Sequence, residues 1–127
     1  MSIVRYLNVD CILRSDVSLV DFLSYLKSDV FVLWDEPSGG GSFIGFETNL
    51  VDTSGPEEDI AEFLRLFEPP KLKEALIKCK EKSFDIGFES GDFGDPINLN
   101  ISPDIVSKIS ELGFSINIRV YPVPPDQ

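Results

Sequence analysis

The 127 residues include no histidine, which removes imidazole acid–base chemistry, Ser–His and Cys–His nucleophiles, and His-ligated metals. Carboxylate is what remains, with 22 Asp and Glu against 11 Lys and Arg. Paired carboxylates can act as general acid and base, or supply oxygen ligands to a divalent cation. Glu89, Asp92 and Asp95 sit around a Gly-containing loop, but without the alternate acids, central Gly and closing Glu of an EF-hand. No metal or other cofactor is expected. Asp92-Phe93-Gly94 spells a kinase tripeptide with no Gly-rich loop, lysine strand or catalytic loop beside it. Ser38-Gly39-Gly40-Gly41-Ser42 lacks the Lys-Ser/Thr ending and following helix of a phosphate loop, and reads as a long hairpin tip.

The polar residues become informative when placed on strands. Over residues 3–13, Ile3, Leu7, Val9, Cys11 and Leu13 share one parity, with Arg5 the exception, and Tyr6, Asn8 and Asp10 take the other. Period two means a strand with one buried face. The same alternation sets Glu47 and Asn49 outward on a strand over 43–50, and Asp85 and Glu89 outward between Phe84, Ile86 and Phe88. Asn98 and Asn100 alternate with Ile97, Leu99 and Ile101. Asn117, Arg119 and Tyr121 alternate with Ile116, Ile118 and Val120. If these strands pair, the twelve outward residues form one open polar face rich in asparagine and carboxylate. Asparagine is disfavoured in strands, so the face reads either as a flat acidic surface for a protein or peptide, or as the wet side that any open antiparallel sheet needs.

The elements that hold this face follow from punctuation and period. Ser18-Leu19-Val20-Asp21 resembles a capping box, followed by Leu19, Phe22, Leu23 and Leu26 at helical spacing. Residues 30–34 form a short strand. Ser54-Gly55-Pro56-Glu57 opens a helix with Ile60, Phe63, Leu64 and Phe67 inward, which Pro69-Pro70 ends or kinks. Another helix carries Leu72, Ala75, Leu76 and Cys79. Ser102-Pro103-Asp104 starts a helix with Ile105, Val106, Ile109 and Leu112 facing the sheet, and Gly113 stops it. The order β-α-β-β-α-α-β-β-α-β describes a single α+β domain over 1–127. It predicts a single-layer, mostly antiparallel six-stranded sheet with helices on one face, around a ferredoxin-like core.

A formal charge of −11 argues against nucleic-acid binding, which needs cations to displace counterions. Lys71, Lys73, Lys78, Lys80 and Lys82 make a local positive run, read as a solvated helix face or a contact for an acidic group. Trp34 and Phe93 are candidate interface anchors, with core packing the favoured reading for Trp34 and Phe93 the better exposed candidate. No apolar run reaches the roughly 20 residues of a membrane span, and the N-terminus lacks a signal-peptide core. Cys11 and Cys79 fall on apolar faces and read as buried, reduced thiols. A cytoplasmic protein, monomeric or weakly dimeric, is expected.

The C-terminal third, from Phe84-Asp85-Ile86-Gly87-Phe88 through Ile97-Asn98-Leu99-Asn100-Ile101-Ser102-Pro103 to Glu111-Leu112-Gly113-Phe114-Ser115-Ile116-Asn117-Ile118-Arg119-Val120-Tyr121, resembles a family of small bacterial α+β proteins known as a domain of unknown function. The likeness covers about 40 residues, counted along these strand, cap and stop signals. It carries no catalytic residue. Small acidic proteins of this type accompany secreted toxins as immunity proteins, so the resemblance implies a non-enzymatic acidic inhibitor of a basic toxin. A small-molecule-binding regulatory ferredoxin-like domain is the alternative, and a carboxylate-only enzyme the third reading.

Overall fold

The computed structural model describes residues 4–50, 55–91 and 96–122. Ile3, the Ser54 cap, Asp92, Phe93 and Asp95 of the acidic loop, and the Pro-rich tail after Pro122 lie outside the described residues. Among the described residues, nine elements follow one another: β1 (Arg5–Ser15), α1 (Val20–Leu26), β2 (Val30–Ser38), β3 (Gly41–Thr48), α2 (Pro56–Leu66), α3 (Pro70–Ile77), β4 (Cys79–Glu89), α4 (Pro103–Leu112) and β5 (Ser115–Tyr121). The sheet has five strands in the order β2-β3-β1-β4-β5. Neighbours among the first four are antiparallel, and β5 runs parallel to β4.

The sheet departs from the expected six-stranded, mostly antiparallel one. Residues 97–101 form no strand. Ile97, Leu99 and Ile101 instead pack against the core as an extended segment, so their alternation reports burial without a ladder. The chain then crosses over through α4 and returns beside β4 in the same direction, as a strand–helix–strand crossover requires. The glycine run also differs from expectation. β2 and β3 continue to Ser38 and Gly41, which pair across Gly39 and Gly40, at φ 55° and 87°. Two successive positive φ values make a tight two-residue hairpin turn, which glycine adopts without strain.

The core lies on one side of the sheet. Val9, Cys11, Leu13, Ile44, Phe46, Phe84, Ile86 and Phe88 are buried there with Phe22, Phe63 and Phe67 of the helical layer. Ring contacts run from Phe22 through Phe46, Phe63 and Phe67 to Phe84 and Phe114. Both cysteines are buried free thiols; burial pushes both up, that of Cys11 far up, which disfavours the reactive thiolate. No described helix is long and apolar enough to cross a membrane.

Two helix starts form otherwise than their sequences suggest. Ser18 takes the Val20 N–H, while Leu19 caps α1 and donates its own N–H to the buried Ser42 hydroxyl at 2.9 Å. Ser102 makes no side-chain cap bond; its N–H donates to Glu57 of α2 at 2.6 Å. In both cases a tertiary acceptor replaces the local one. Gly113 closes α4 with φ 76°, as its position predicts.

Helix α4 packs mainly on α2 and α3, not squarely on the sheet. Of its expected inward stripe only Ile109 is buried, while Val106 is 49% exposed. Ile109→Ala is therefore expected to cost about 2–5 kcal/mol, and Val106→Ala less than about 0.5 kcal/mol. Urea melts of the two variants check this ordering; equal losses would overturn the packing assignment.

Candidate functional site

The side of the sheet away from the helices carries the polar residues, and the strand registers decide which ones. Asp10 lies opposite Asp85, Asp85 beside Asn117, Gly87 beside Arg119, and Glu89 beside Tyr121. A bulge in β1 between Tyr6 and Asn8 reverses the parity. Arg5 therefore lies on the open face, where it pairs with Glu89 at 3.5 Å. Tyr6 turns to the helix side, paired with Phe88. This corrects the outward placement of Tyr6 and accounts for Arg5 as the exception in the alternation.

Eight of the twelve expected face residues come together: Asn8, Asp10, Glu47, Asp85, Glu89, Asn117, Arg119 and Tyr121. Besides Tyr6, three do not. Asn49 lies past the end of β3 and donates to the Ser28 carbonyl at 3.1 Å. Asn98 and Asn100 lie off the sheet, beside Gly55, Pro56 and Glu57 at the start of α2. The reason is the same in each case: no ladder extends to these residues, so parity has no face to refer to.

Within the cluster, Asn8 Nδ2 donates to Asp10 Oδ1 and to Glu47 Oε2, both at 3.3 Å. Arg119 Nε reaches Asp85 Oδ2 at 2.8 Å, and Asn117 Nδ2 donates to Asp85 Oδ1 at 3.2 Å. Asp85 is thereby held at 8% exposure on an otherwise open face. Gly87 matters by what it lacks, since a Cβ there would stand 3.0 Å from Asn8 Oδ1 and 3.6 Å from the Tyr121 ring. Among the described residues, no acid or thiol cluster has an arrangement that holds a metal ion.

Partial burial, and then the negative charges of Glu47 and Asp85, push the Asp10 carboxyl up to about 6 against the pull of Arg119. A folded-state value raised above the unfolded 3.8 means that this site favours folding most at low pH. That contribution is lost as pH rises through the window from 3.8 to about 6. The full shift would correspond to at most about 3 kcal/mol; screening of a half-exposed group reduces it to about 1 kcal/mol. Asp10→Asn is therefore expected to stabilise the protein by about 1 kcal/mol at about pH 7.5 and by less at about pH 5. Denaturant melts at both values test this; a destabilised or pH-independent difference would contradict it.

A second feature lies where the sheet forks. The β1–β3 ladder ends at Cys11 and Phe46, although β1 extends back to Arg5 and β3 on to Thr48. Asp59, from the first turn of α2, fills the space beneath. It accepts from the Tyr6 hydroxyl on one oxygen and from Thr48 Oγ1 on the other, the latter at 2.8 Å. The remaining space is a cleft of about 430 Å³ lined by Tyr6, Asn8, Glu47, Thr48, Leu50 and Asp59, among others.

Sequence reasoning missed Asp59 and Thr48, whose helix and strand positions give no sign of one shared buried carboxylate. Apart from Trp34, a candidate anchor from the sequence, it also missed the aromatic half of the open face. There Trp34 lies over Gly45, where a Cβ would fall 2.4 Å from the indole. Arg14 sits 4.1 Å above the Phe43 ring. Arg14 and Phe43 both have outward parity, and that was the available signal. The lysine run is dispersed: Lys71 lies over the Tyr25 ring at 4.0 Å and Lys80 pairs with Asp16 at 3.1 Å. Comparison of the chain with protein-family models, with curated proteins and with solved structures finds no significant match in any of the three.

Proposed function

We propose that this chain is a non-enzymatic binding protein that receives a cationic protein surface on its open sheet face. The reading rests on one observation above others: Asp10, Glu47 and Asp85 converge on neighbouring strands with one arginine among them, and partial burial, reinforced by these neighbouring carboxylates, pushes Asp10 up to about 6. Such repulsion is relieved when a cationic group docks, and a chain of charge −11 steers a basic partner toward itself. A basic toxin inhibited by a bacterial cytoplasmic immunity-type protein is the partner class that fits, in line with the C-terminal resemblance. In this reading β1 to β4, with β3 between β1 and β2, form a ferredoxin-like core to which β5 adds a parallel edge.

The test is parallel capture on immobilised wild type and on an Asp10→Asn/Glu47→Gln/Glu89→Gln variant, using lysate of the cells that carry the gene. A basic protein held by wild type, released as salt rises and lost from the variant is the expected result. Equal retention on both surfaces would overturn the reading.

A second reading, a small-ligand regulatory domain, is favoured by the forked cleft alone. Its volume falls in the roughly 300–1,000 Å³ range of ligand sites, and Glu47 and Asp59 suit a small amine. Titration with putrescine should then shift the amide resonances of Leu7, Asn8, Val9 and Glu47; unshifted resonances would dismiss it.

A further inference from the structure

Among the described residues, the β5 edge of the sheet is open in two ways at once. Ser90 N–H donates to the Tyr121 carbonyl at 2.9 Å, so Tyr121 spends its main-chain groups on the β4 side. Main-chain groups alternate in direction along a strand. Ser115, Asn117 and Arg119 therefore bond toward β4, and Ile116, Ile118 and Val120 present their N–H and C=O to the free edge. The same three residues carry apolar side chains on the core side of the sheet, in register with Phe84, Ile86 and Phe88. They are nevertheless 39%, 47% and 49% exposed, because α4 leans on α2 and α3. A flat edge with unpaired backbone and apolar side chains is a template for another strand.

We propose that β5 pairs antiparallel with β5 of a second copy about a two-fold axis through Ile118, joining the two sheets into one. Charge and register together select this occupant. On a chain of −11, most surfaces repel a second copy, but β5 carries no acid and one cation, Arg119. Centred on Ile118, the pairing sets Ile118 against Ile118 and Ile116 against Val120, so every outward main-chain group in the strand finds a partner. Arg119 then faces the neutral Asn117 of the other copy while keeping its own Asp85, so no like charges meet across the axis. Shifting the axis to Arg119 would set arginine against arginine. The acidic faces of both copies remain uncovered on the same side of the joined sheet.

The decisive experiment combines sedimentation equilibrium with cysteine cross-linking. Wild type should show a mass rising toward twice the monomer with concentration, and more strongly at higher salt, which screens the overall repulsion. Ile118→Lys should remain monomeric with an unchanged circular dichroism spectrum. Ile118→Pro should do the same, since that N–H makes no bond to β4. Under mild oxidation, Ile118→Cys should cross-link to a covalent dimer, whereas Ile116→Cys, facing Val120, should not. A wild type that stays monomeric at every concentration would overturn the proposal, as would Ile118→Lys dimerising as wild type does. Cross-linking of Ile116→Cys in preference to Ile118→Cys would overturn the register.

Discussion

Phe84→Ala is expected to remove about 3–5 kcal/mol of unfolding free energy, the range for emptying a buried aromatic site. The ring is fully buried in mid-β4. It stacks on Phe114 with centroids 4.4 Å apart and planes 11° from parallel, and meets Phe63 of α2 at 5.5 Å. Phe84 therefore joins the sheet centre, α2 and the residue that leads into β5. Loss of the ring forfeits apolar transfer and these ring pairs, and the flat packing leaves a void that its neighbours fill incompletely. Because domains of this size hold only about 5–15 kcal/mol in total, the variant should melt far earlier in urea, with an unchanged dependence on denaturant concentration. A loss below about 1.5 kcal/mol would show that the six-phenylalanine cluster collapses around the vacancy and is not tightly packed.

The second large effect is kinetic. Asp10→Asn/Glu47→Gln/Glu89→Gln should slow association with the captured basic partner at least tenfold at low ionic strength, because steering by a charged face contributes about 10- to 1,000-fold. The two on-rates should converge as salt is raised past the point where the screening length falls to about 8 Å. Asp85 is left intact in this variant. It holds Arg119 and Asn117 while nearly buried, so its removal would confuse lost steering with lost structure. Glu89 pairs with an Arg5 side chain that is 65% exposed, and exposed pairs contribute little. Stability should therefore hold or rise through the relief of Asp10. Equal on-rates at low salt would refute steering; a large stability loss would show that the face is structural.

The readable part of this face follows from alternation. Asp10, Glu47 and Asp85 stand opposite residues that a core must take, namely Val9, Phe46, Phe84 and Ile86, and Asn117 and Arg119 follow in register on β5, so their side of the sheet is set by period two. Tyr6 broke the rule through a bulge that Arg5 had marked, since a cation on an apolar parity is the visible trace of a register shift. Asn98 and Asn100 failed for a different reason: alternation within residues 97–101 is satisfied by packing alone. Val106 and the inner side of β5 also have the right periodicity, and remain exposed because helix placement, not period, decides what is covered.

By itself the sequence determined what is local: helix and strand periods, the proline starts, the Gly113 stop, the excess of carboxylate and the exclusion of histidine chemistry. These depend on dihedral preferences and on neighbours a few residues apart. Tertiary structure alone decided the strand order, the parallel return of β5, the fork between β1 and β3, the sharing of Asp59 by Tyr6 and Thr48, and the burial and neighbouring carboxylates that lift Asp10. Each of those depends on distances between residues remote in the chain. Apolar burial drives them together without direction, and only the closed ladders and packed helices select which pairs meet.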